Sequence, residues 1–373
     1  MSLYPIPATK NRPYLISIRL LTEEEERSLK PYSYSILTAA NNCPMWGVVR
    51  YGHRKVYTAT ARSMALEAGS ALHEVFAAVR LWQLYRKQGL TNHAFTRGEH
   101  LFGVDRWYKA WNDASIGTSD DFDDHRSELM QLCFNILHSG DFYDNPEDSN
   151  RTTTNLETST IRYVDEQLSI MDSWPVYVAD EQDPMGFVGV EVPFDIALEY
   201  SDGRVFRFVG TIDGVHVRAK TGEIYPFENK SAIRLDEGWR LAFSTSHQQT
   251  GYCFVLRFLL QLVDPVLKFR VIGLKTKQTG HVDDYVFFEE LRNEEHFSTW
   301  ADWVHYTITE VYERYHDDWE NAPRFTHSCN RYFRPCAMIL FCSDNAEGRK
   351  EQFNNMVEGP LSPSEESALL YGS

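Results

Sequence analysis

Apolar and polar residues alternate with a period of two over several stretches in the second half of the chain: GVEVPFDIALEY, RVFRFVGTIDGVHVR, EIYPFENKS, VLKFRVIGLKT and VDDYVFFEE. That period predicts β-strands, beginning near Val188. Helical spacing appears from Thr60 to Tyr85, from Asp236 to Val263 and from about Asn293 to Tyr315, with shorter helical runs at Trp107–Trp111 and Leu129–Leu137. Nearer the N-terminus, LLTEEEERSLK reads as a surface helix. A second short helix carries Ile36, Leu37, Ala40 and Cys43 on its apolar side, has Ser33 or Ser35 as cap and is closed by Cys43-Pro44. Strands, then a helix, then further strands is the order of an α/β core with a mixed sheet.

The same pattern divides the chain. Residues 1–90 form an N-terminal helical segment and 186–290 the sheet core, while 291–345 carry a helix and three cysteines. Residues 91–185 read as a helical insertion over the core, with solvated acidic loops at TSDDFDDHR and DFYDNPEDSNRTTTN. The end, 346–373, reads as a flexible tail.

Two of the strands form a hairpin. Asp213 stands near the end of one apolar run and Glu228-Asn229-Lys230 at the end of the next, with Lys220-Thr221-Gly222 as the turn. Two carboxylates on neighbouring strands make a hard oxygen site suited to Mg²⁺ or Mn²⁺. Lys230 is two residues beyond Glu228 and so faces the same way along a strand. An ammonium there can orient or help deprotonate a bound water and offset phosphate charge, which suits metal-assisted phosphodiester hydrolysis. Ile212 and Gly214 read as scaffold, and Glu191 as a solvent-facing strand residue rather than a supporting carboxylate.

Composition narrows the setting. The chain has 373 residues, 43% hydrophobic and 14% aromatic, which is a globular composition. No apolar stretch has signal-peptide length at the N-terminus, and the longest apolar run, Gly251–Val263, is too short to span a bilayer. A soluble cytoplasmic protein with no membrane partner is expected, in the host cytoplasm if the chain is viral. The net charge of −16 excludes a broad nonspecific nucleic-acid surface, although a narrow basic channel remains compatible with it. Arg54, Lys55, Arg62, Lys268, Arg270, Lys275 and Lys277 are candidates for such a phosphate track. Of six cysteines, Cys133 and Cys253 fall in apolar helical patterns and read as core. Cys43, Cys329, Cys336 and Cys342 lie towards opposite ends of the chain.

Asp213, the fourteen residues after it and Glu228-Asn229-Lys230 resemble the core of the PD-(D/E)xK nuclease superfamily. In the following helix Gln248 and Tyr252 share a face, and this resembles the glutamine and tyrosine helix of the RecB-like branch, where such residues help hold the active site and contact DNA. Gln249 is the alternative to Gln248. Gly69-x-x-Leu72-His73 resembles the helical histidine motif that supplies a further metal ligand in that branch. HSCNRYFRPCAMILFC, together with Cys43-Pro44, is similar to the iron-sulfur staple of the Cas-four-type and AddB exonucleases, in which four cysteines hold a [4Fe-4S] cluster. Six residues separate Cys329 from Cys336 where those families have a CxxC start. Zinc is the competing occupant, although its structural sites use close cysteine pairs.

The resemblance covers roughly residues 33–85 and 186–345. It implies a restriction-endonuclease-like mixed sheet flanked by helices, with N- and C-terminal helical segments joined by a cysteine-ligated cluster. It further implies a metal-dependent deoxyribonuclease in which His73, Asp213 and Glu228 hold the metal, Lys230 positions water, and Gln248 and Tyr252 support the site. The implied substrate is single-stranded or free-ended DNA, and a helicase, recombination or CRISPR-adaptation partner is compatible with it. A non-catalytic DNA-binding or assembly subunit and a hydrolase acting on RNA are the alternatives.

Overall fold

The structure, a computed structural model, describes residues 13–56, 64–117, 122–140, 142, 148–169, 172–180, 183, 185–264, 267–324 and 338–358. The first strand, β1 (Leu15–Arg19), is an element the alternation did not reveal. It precedes α1 (Glu23–Ser28), the expected acidic helix, which Thr22 and Glu25 close with a capping box. β2 (Pro31–Ser33) runs straight into α2 (Tyr34–Asn42), and of the two candidate serines Ser33 is the cap that accepts the Ile36 N–H. Cys43 is extended at the end of α2, and Pro44 begins α3 (Pro44–Gly47), a position where its missing N–H costs nothing. A π-helical turn over Val48–Gly52 leads to β3 (Lys55–Val56).

Five helices follow: α4 (Met64–Gln88), α5 (Thr91–Phe102), α6 (Val104–Asp113), α7 (Phe122–Ser139) and α8 (Thr153–Ser169). The last four are the expected insertion, and they are core rather than solvated cover. Trp107, Leu129, Ile136 and Tyr163 are buried with Phe76, Val79 and Trp82 of α4 in one apolar cluster that also takes Tyr225 and Phe227 from the sheet. Burying side chains of this size at about 25 cal/mol per Å² makes these helices part of what holds α4 in place.

The main sheet contains β1, β2, β4 (Ser173–Pro175), β7 (Val190–Tyr200), β8 (Val205–Arg218), β9 (Ile224–Ala232), β10 (Leu267–Lys275) and β11 (Tyr285–Arg292). A separate small hairpin joins β5 (Tyr177–Val178) to β6 (Phe187–Val188). In the main sheet the order is β1-β7-β8-β9-β10-β11, and β9 and β10 are parallel where the other neighbours on that path are antiparallel. A parallel pair needs a crossover, which α9 (Glu237–Ser244) and α10 (His247–Leu259) supply. The single helix expected over Asp236–Val263 is therefore two. Asp236 caps the first, and the chain leaves helical geometry at Thr245–Ser246, where short hydroxyl side chains compete for backbone hydrogen bonds.

After β11, α11 (Glu294–Tyr306) continues through a π-helical stretch, Thr307–Glu313, into α12 (Arg314–His316). The segment expected to be a flexible tail instead begins with α14 (Ala346–Asn355), preceded by α13 (Ile339–Ser343), and ends in β12 (Val357–Glu358), which pairs antiparallel with β3. Residues 359–373 lie outside the described residues. The observed architecture is a mixed sheet flanked by helices, in agreement with the α/β expectation, and among the described residues no helix is long and apolar enough to cross a membrane.

Candidate metal centre

The hairpin of β8 and β9 turns at Gly222, whose φ of +70° suits a residue without Cβ. The β8–β9 ladder runs from Val217↔Ile224 to Gly214↔Phe227. Further along the same edge of β8, the place of β9 is taken by β2, paired over Pro31–Ser33 with Arg207–Val209. β9 meanwhile continues beside β10, with Glu228 opposite Val271 and Lys230 opposite Gly273. The strands thus part where Asp213 and Glu228 stand. Asp213 Oδ2 accepts the Asn229 N–H at 3.0 Å, so the aspartate itself bridges the opening.

His73 arrives from α4, with Nδ1 3.6 Å from Asp213 Oδ2. Ligand atoms of His73, Glu191 and Asp213 all lie within 4.8 Å of one another. Glu191 is the residue that sequence reasoning misplaced, since its carboxylate turns to the metal centre instead of solvent. Its φ is +49°, in the left-handed region that non-glycine residues seldom occupy. Arg97 on α5 holds that conformation, donating to Val190 O at 3.1 Å and to the Glu191 carbonyl. The sequence shows Glu191 as one of three acidic residues in β7, with Asp195 and Glu199, and so does not single it out.

Arg80 was missed altogether. It lies seven residues after His73, two helical turns on and therefore on the same face. Its Nη1 donates to Asp213 O at 2.6 Å and stands 3.7 Å from Glu191 Oε1, and the guanidinium lies over the Phe227 ring. Gly214 makes room for it, because a Cβ at that position would come within 2.9 Å of Arg80 Nε.

Glu228 is 2% exposed and pairs through Oε1 with the Lys230 ammonium. It is not one of the three clustered ligand residues, so the expected set of His73, Asp213 and Glu228 becomes His73, Asp213 and Glu191, with Glu228 beside them. Burial, then the charge of Asp213, raises the Glu228 pKa above the usual carboxylate range against the pull of Lys230. Burial and Asp213 likewise raise Glu191, with Arg80 and Arg97 opposing. Burial lowers the His73 pKa and leaves a neutral imidazole. Burial also works against the Lys230 charge, but Glu228 and Asp213 outweigh it and raise its pKa, so it stays an ammonium.

The helix α10 closes the other side. Gln248 Nε2 donates to the Tyr252 hydroxyl at 2.9 Å. Burial, followed by the charges of Glu228 and Asp213, pushes that hydroxyl's pKa well up, which keeps its proton on. Gln249, the alternative, is 2% exposed and its amide makes no hydrogen bond among the described residues. Behind β9, the Tyr163 hydroxyl donates to Asn229 Oδ1 at 3.3 Å, which ties the insertion to the Glu228-Asn229-Lys230 strand.

Cys133 and Cys253 are fully buried core residues, and burial pushes the Cys253 thiol up to about 12. Cys43 and Cys342 belong to one apolar cluster with Met45, Val48, Trp319, Phe341 and Met356, which brings the two ends of the described chain together. Met45 N donates to Pro323 O across the same junction. Cys329 and Cys336 lie outside the described residues.

Most of the proposed phosphate track is already paired. Arg270 holds Asp172 and Glu289, Lys275 holds Asp284, Lys268 holds Glu223 and Arg54 holds Glu358. Alternation along β10 sets Lys268, Arg270 and Lys275 on strand faces where local carboxylates neutralise them, and Arg62 lies outside the described residues. No family model matches the chain, and no curated protein matches it either.

Proposed function

We propose that this chain is a metal-dependent phosphodiesterase acting on DNA, of the RecB-like PD-(D/E)xK kind. One observation carries the reading. Buried carboxylate oxygens, Glu228 Oε2 and Glu191 Oε1, accept no hydrogen bond among the described residues, beside Asp213 and a neutral His73. Buried acceptors left without donors are costly, and a divalent cation satisfies them. Hard oxygens with one imidazole fit Mg²⁺ or Mn²⁺.

A bound ion there would supply Lewis acidity at the phosphoryl oxygens and a more acidic water. His73, Asp213 and Glu191 would hold it. Arg80, through the Asp213 carbonyl, and Arg97, through the Glu191 carbonyl, fix where two of those carboxylates point. Lys230, kept charged by Glu228, orients the attacking water and offsets charge developing on the phosphate. With its pKa raised it is a poor proton acceptor, and Glu228, which stands outside the ligand set, is the side chain here left to take the water's proton. The Gln248–Tyr252 pair supports the edge facing α10.

The second cofactor in this reading is a [4Fe-4S] cluster on Cys43, Cys329, Cys336 and Cys342. Its support is that Cys43 and Cys342, remote in sequence, share one cluster where the chain's two ends meet. Cleavage of end-labelled single- and double-stranded DNA by anaerobically purified protein, with Mn²⁺ or Mg²⁺ and matched RNA strands alongside, tests the function. Metal-dependent cleavage abolished by chelator and by Lys230→Ala supports it; DNA binding with no cleavage under any metal refutes it.

A further inference from the structure

β2 takes the place of β9 beside β8 where the strands part, and it carries the chain directly to Tyr34, the first residue of α2. Ser33 pairs with Val209, so Tyr34 stands beside the opening, on the stretch of β8 that leads to Asp213. Tyr34 is half-buried, and it is close enough to Lys230 to bear on its charge, behind burial, Glu228 and Asp213. Two more half-buried rings continue the surface. Trp303 of α11 meets Tyr34 with ring centroids 6.0 Å apart at a tilt of 42°, and His247, the first residue of α10, lies flat on Trp303 at 4.4 Å and 9°. His247 precedes Gln248, whose amide holds the Tyr252 hydroxyl. The three rings therefore run along one side of the metal centre, from Lys230 to the start of α10.

We infer that this aromatic wall receives an unpaired nucleobase against the ring of Tyr34, that of a nucleotide flanking the phosphate being cut, an assignment that rests on the nuclease reading. Trp303 and His247 cover each other's faces and serve as backing, whereas Tyr34 only tilts against Trp303 and has no parallel ring partner among the described residues. A phenol ring offers what the neighbouring carboxylates cannot, a π-face for a base. Burial, and then Arg292, lower the His247 pKa, so the imidazole is neutral and the wall adds no cation for a phosphate. The charge balance points the same way. With a net charge of −16, and with Lys268, Arg270 and Lys275 paired to carboxylates, phosphate contacts carry less of the affinity and stacking carries more. Stacking also selects the form of the strand. Bases of a duplex are already stacked on both faces, so the wall takes an unpaired one, of any sequence, because every base has a π-face.

The experiment measures anisotropy of two fluorescein-labelled strands of equal length with Mn²⁺ on the Lys230→Ala background: oligo-dT, and a strand of abasic residues with the same phosphates and no bases. Tyr34→Leu and Tyr34→Phe are compared with that parent after melting curves confirm equal folding. The inference expects the parent to prefer oligo-dT by about tenfold or more, the usual worth of one base–aromatic stack. Tyr34→Leu should lose about that factor from the preference and Tyr34→Phe should keep it, with the salt slope the same in all three because no phosphate contact changes. Damage to the fold lowers affinity for both strands together and leaves their ratio alone, so the ratio separates stacking from a structural role. A parent that binds both strands alike, or a ratio unchanged in Tyr34→Leu, overturns the assignment, and cleavage of DNA by the wild type leaves the nuclease reading intact in that event. Absence of both DNA binding and cleavage overturns both.

Discussion

Glu191 and Asp213 face each other across the β7–β8 pair, and both are steered by arginines that reach backbone carbonyls: Arg97 at Glu191 O and Arg80 at Asp213 O. Glu191 Oε1 is thereby left without a hydrogen-bond donor among the described residues, while Asp213 Oδ2 keeps the Asn229 N–H. In the cation-free protein the Glu191 pKa rises instead, through burial and then the charge of Asp213.

Glu191→Gln follows directly. A carboxylate whose folded pKa is raised stabilises the fold fully only below its unfolded pKa near 4.3, and that stability is lost as pH rises through the folded value. Cation-free Glu191→Gln is therefore expected to melt higher than wild type at pH 8, by on the order of 1 kcal/mol, with the difference vanishing near pH 4. The same variant loses Mn²⁺ binding and metal-dependent cleavage. Calorimetry of wild type should show protons released on Mn²⁺ binding and affinity increasing from pH 6 to 8. A cation-free melting temperature for Glu191→Gln below wild type at pH 8 would contradict the assignment.

Lys230→Ala removes the group that holds Glu228 down. Cleavage should fall by about 10²-fold or more, the usual cost of one preorganised charge partner in a reacting site. Glu228 should then titrate at higher pH, and a shift of the residual activity profile's acidic limb toward alkaline pH in the neutral variant Lys230→Gln would register it. An unchanged rate in Lys230→Ala would remove the residue from the site.

How much of this was legible follows from what each element needs. The β8–β9 hairpin was readable because alternation, Gly222 and the paired carboxylates agree within one short stretch. β1 was not, because its five residues gain their strand character from pairing with β7, far along the chain. The break at Thr245–Ser246 was hidden by apolar spacing that continues through it. His73 was found through a motif, whereas Arg80 and Arg97 act on backbone carbonyls, and no residue pattern announces that. Glu191 depends on a left-handed φ that glutamate does not favour and tertiary contacts impose. The insertion's role depends on large side chains such as Trp107 and Tyr163, whose partners sit in other elements.

Gly214→Ala tests the support behind Asp213. The added methyl needs the space of Arg80 Nε, whose side chain is 1% exposed and has no easy retreat. The expected cost is about 1–3 kcal/mol in stability, with loss of activity larger than the fraction unfolded explains. Full activity in a folded variant would show that Arg80 is dispensable.

Arg270 bridges Asp172 and Glu289 with 5% of its side chain exposed. Its hydrogen bonds lower the Asp172 pKa, and they and Arg218 lower Glu289 against its burial. Depressed carboxylates stabilise above their unfolded pKa and lose that contribution as pH falls through the folded one. Arg270→Leu should cost about 2 kcal/mol at pH 7, discounted from a fully buried pair because Asp172 is partly solvated, and much less near pH 2. DNA affinity and its salt slope should stay as in wild type, and a flatter slope would return Arg270 to the phosphate path.

The pairing of β3 with β12 sets a timetable for biosynthesis. The Lys55 ammonium meets the Met356 carbonyl across a separation of 301 residues. At roughly 5–20 residues per second on the ribosome, β3 waits on the order of tens of seconds for its partner. β1 and β2 wait too, for β7 and β8. During that interval the growing chain carries three unpaired strand segments and a long helix, α4, without its sheet. A chaperone that shields the first hundred residues, or a lowered growth temperature, should raise the yield of folded protein more than any change at the metal centre.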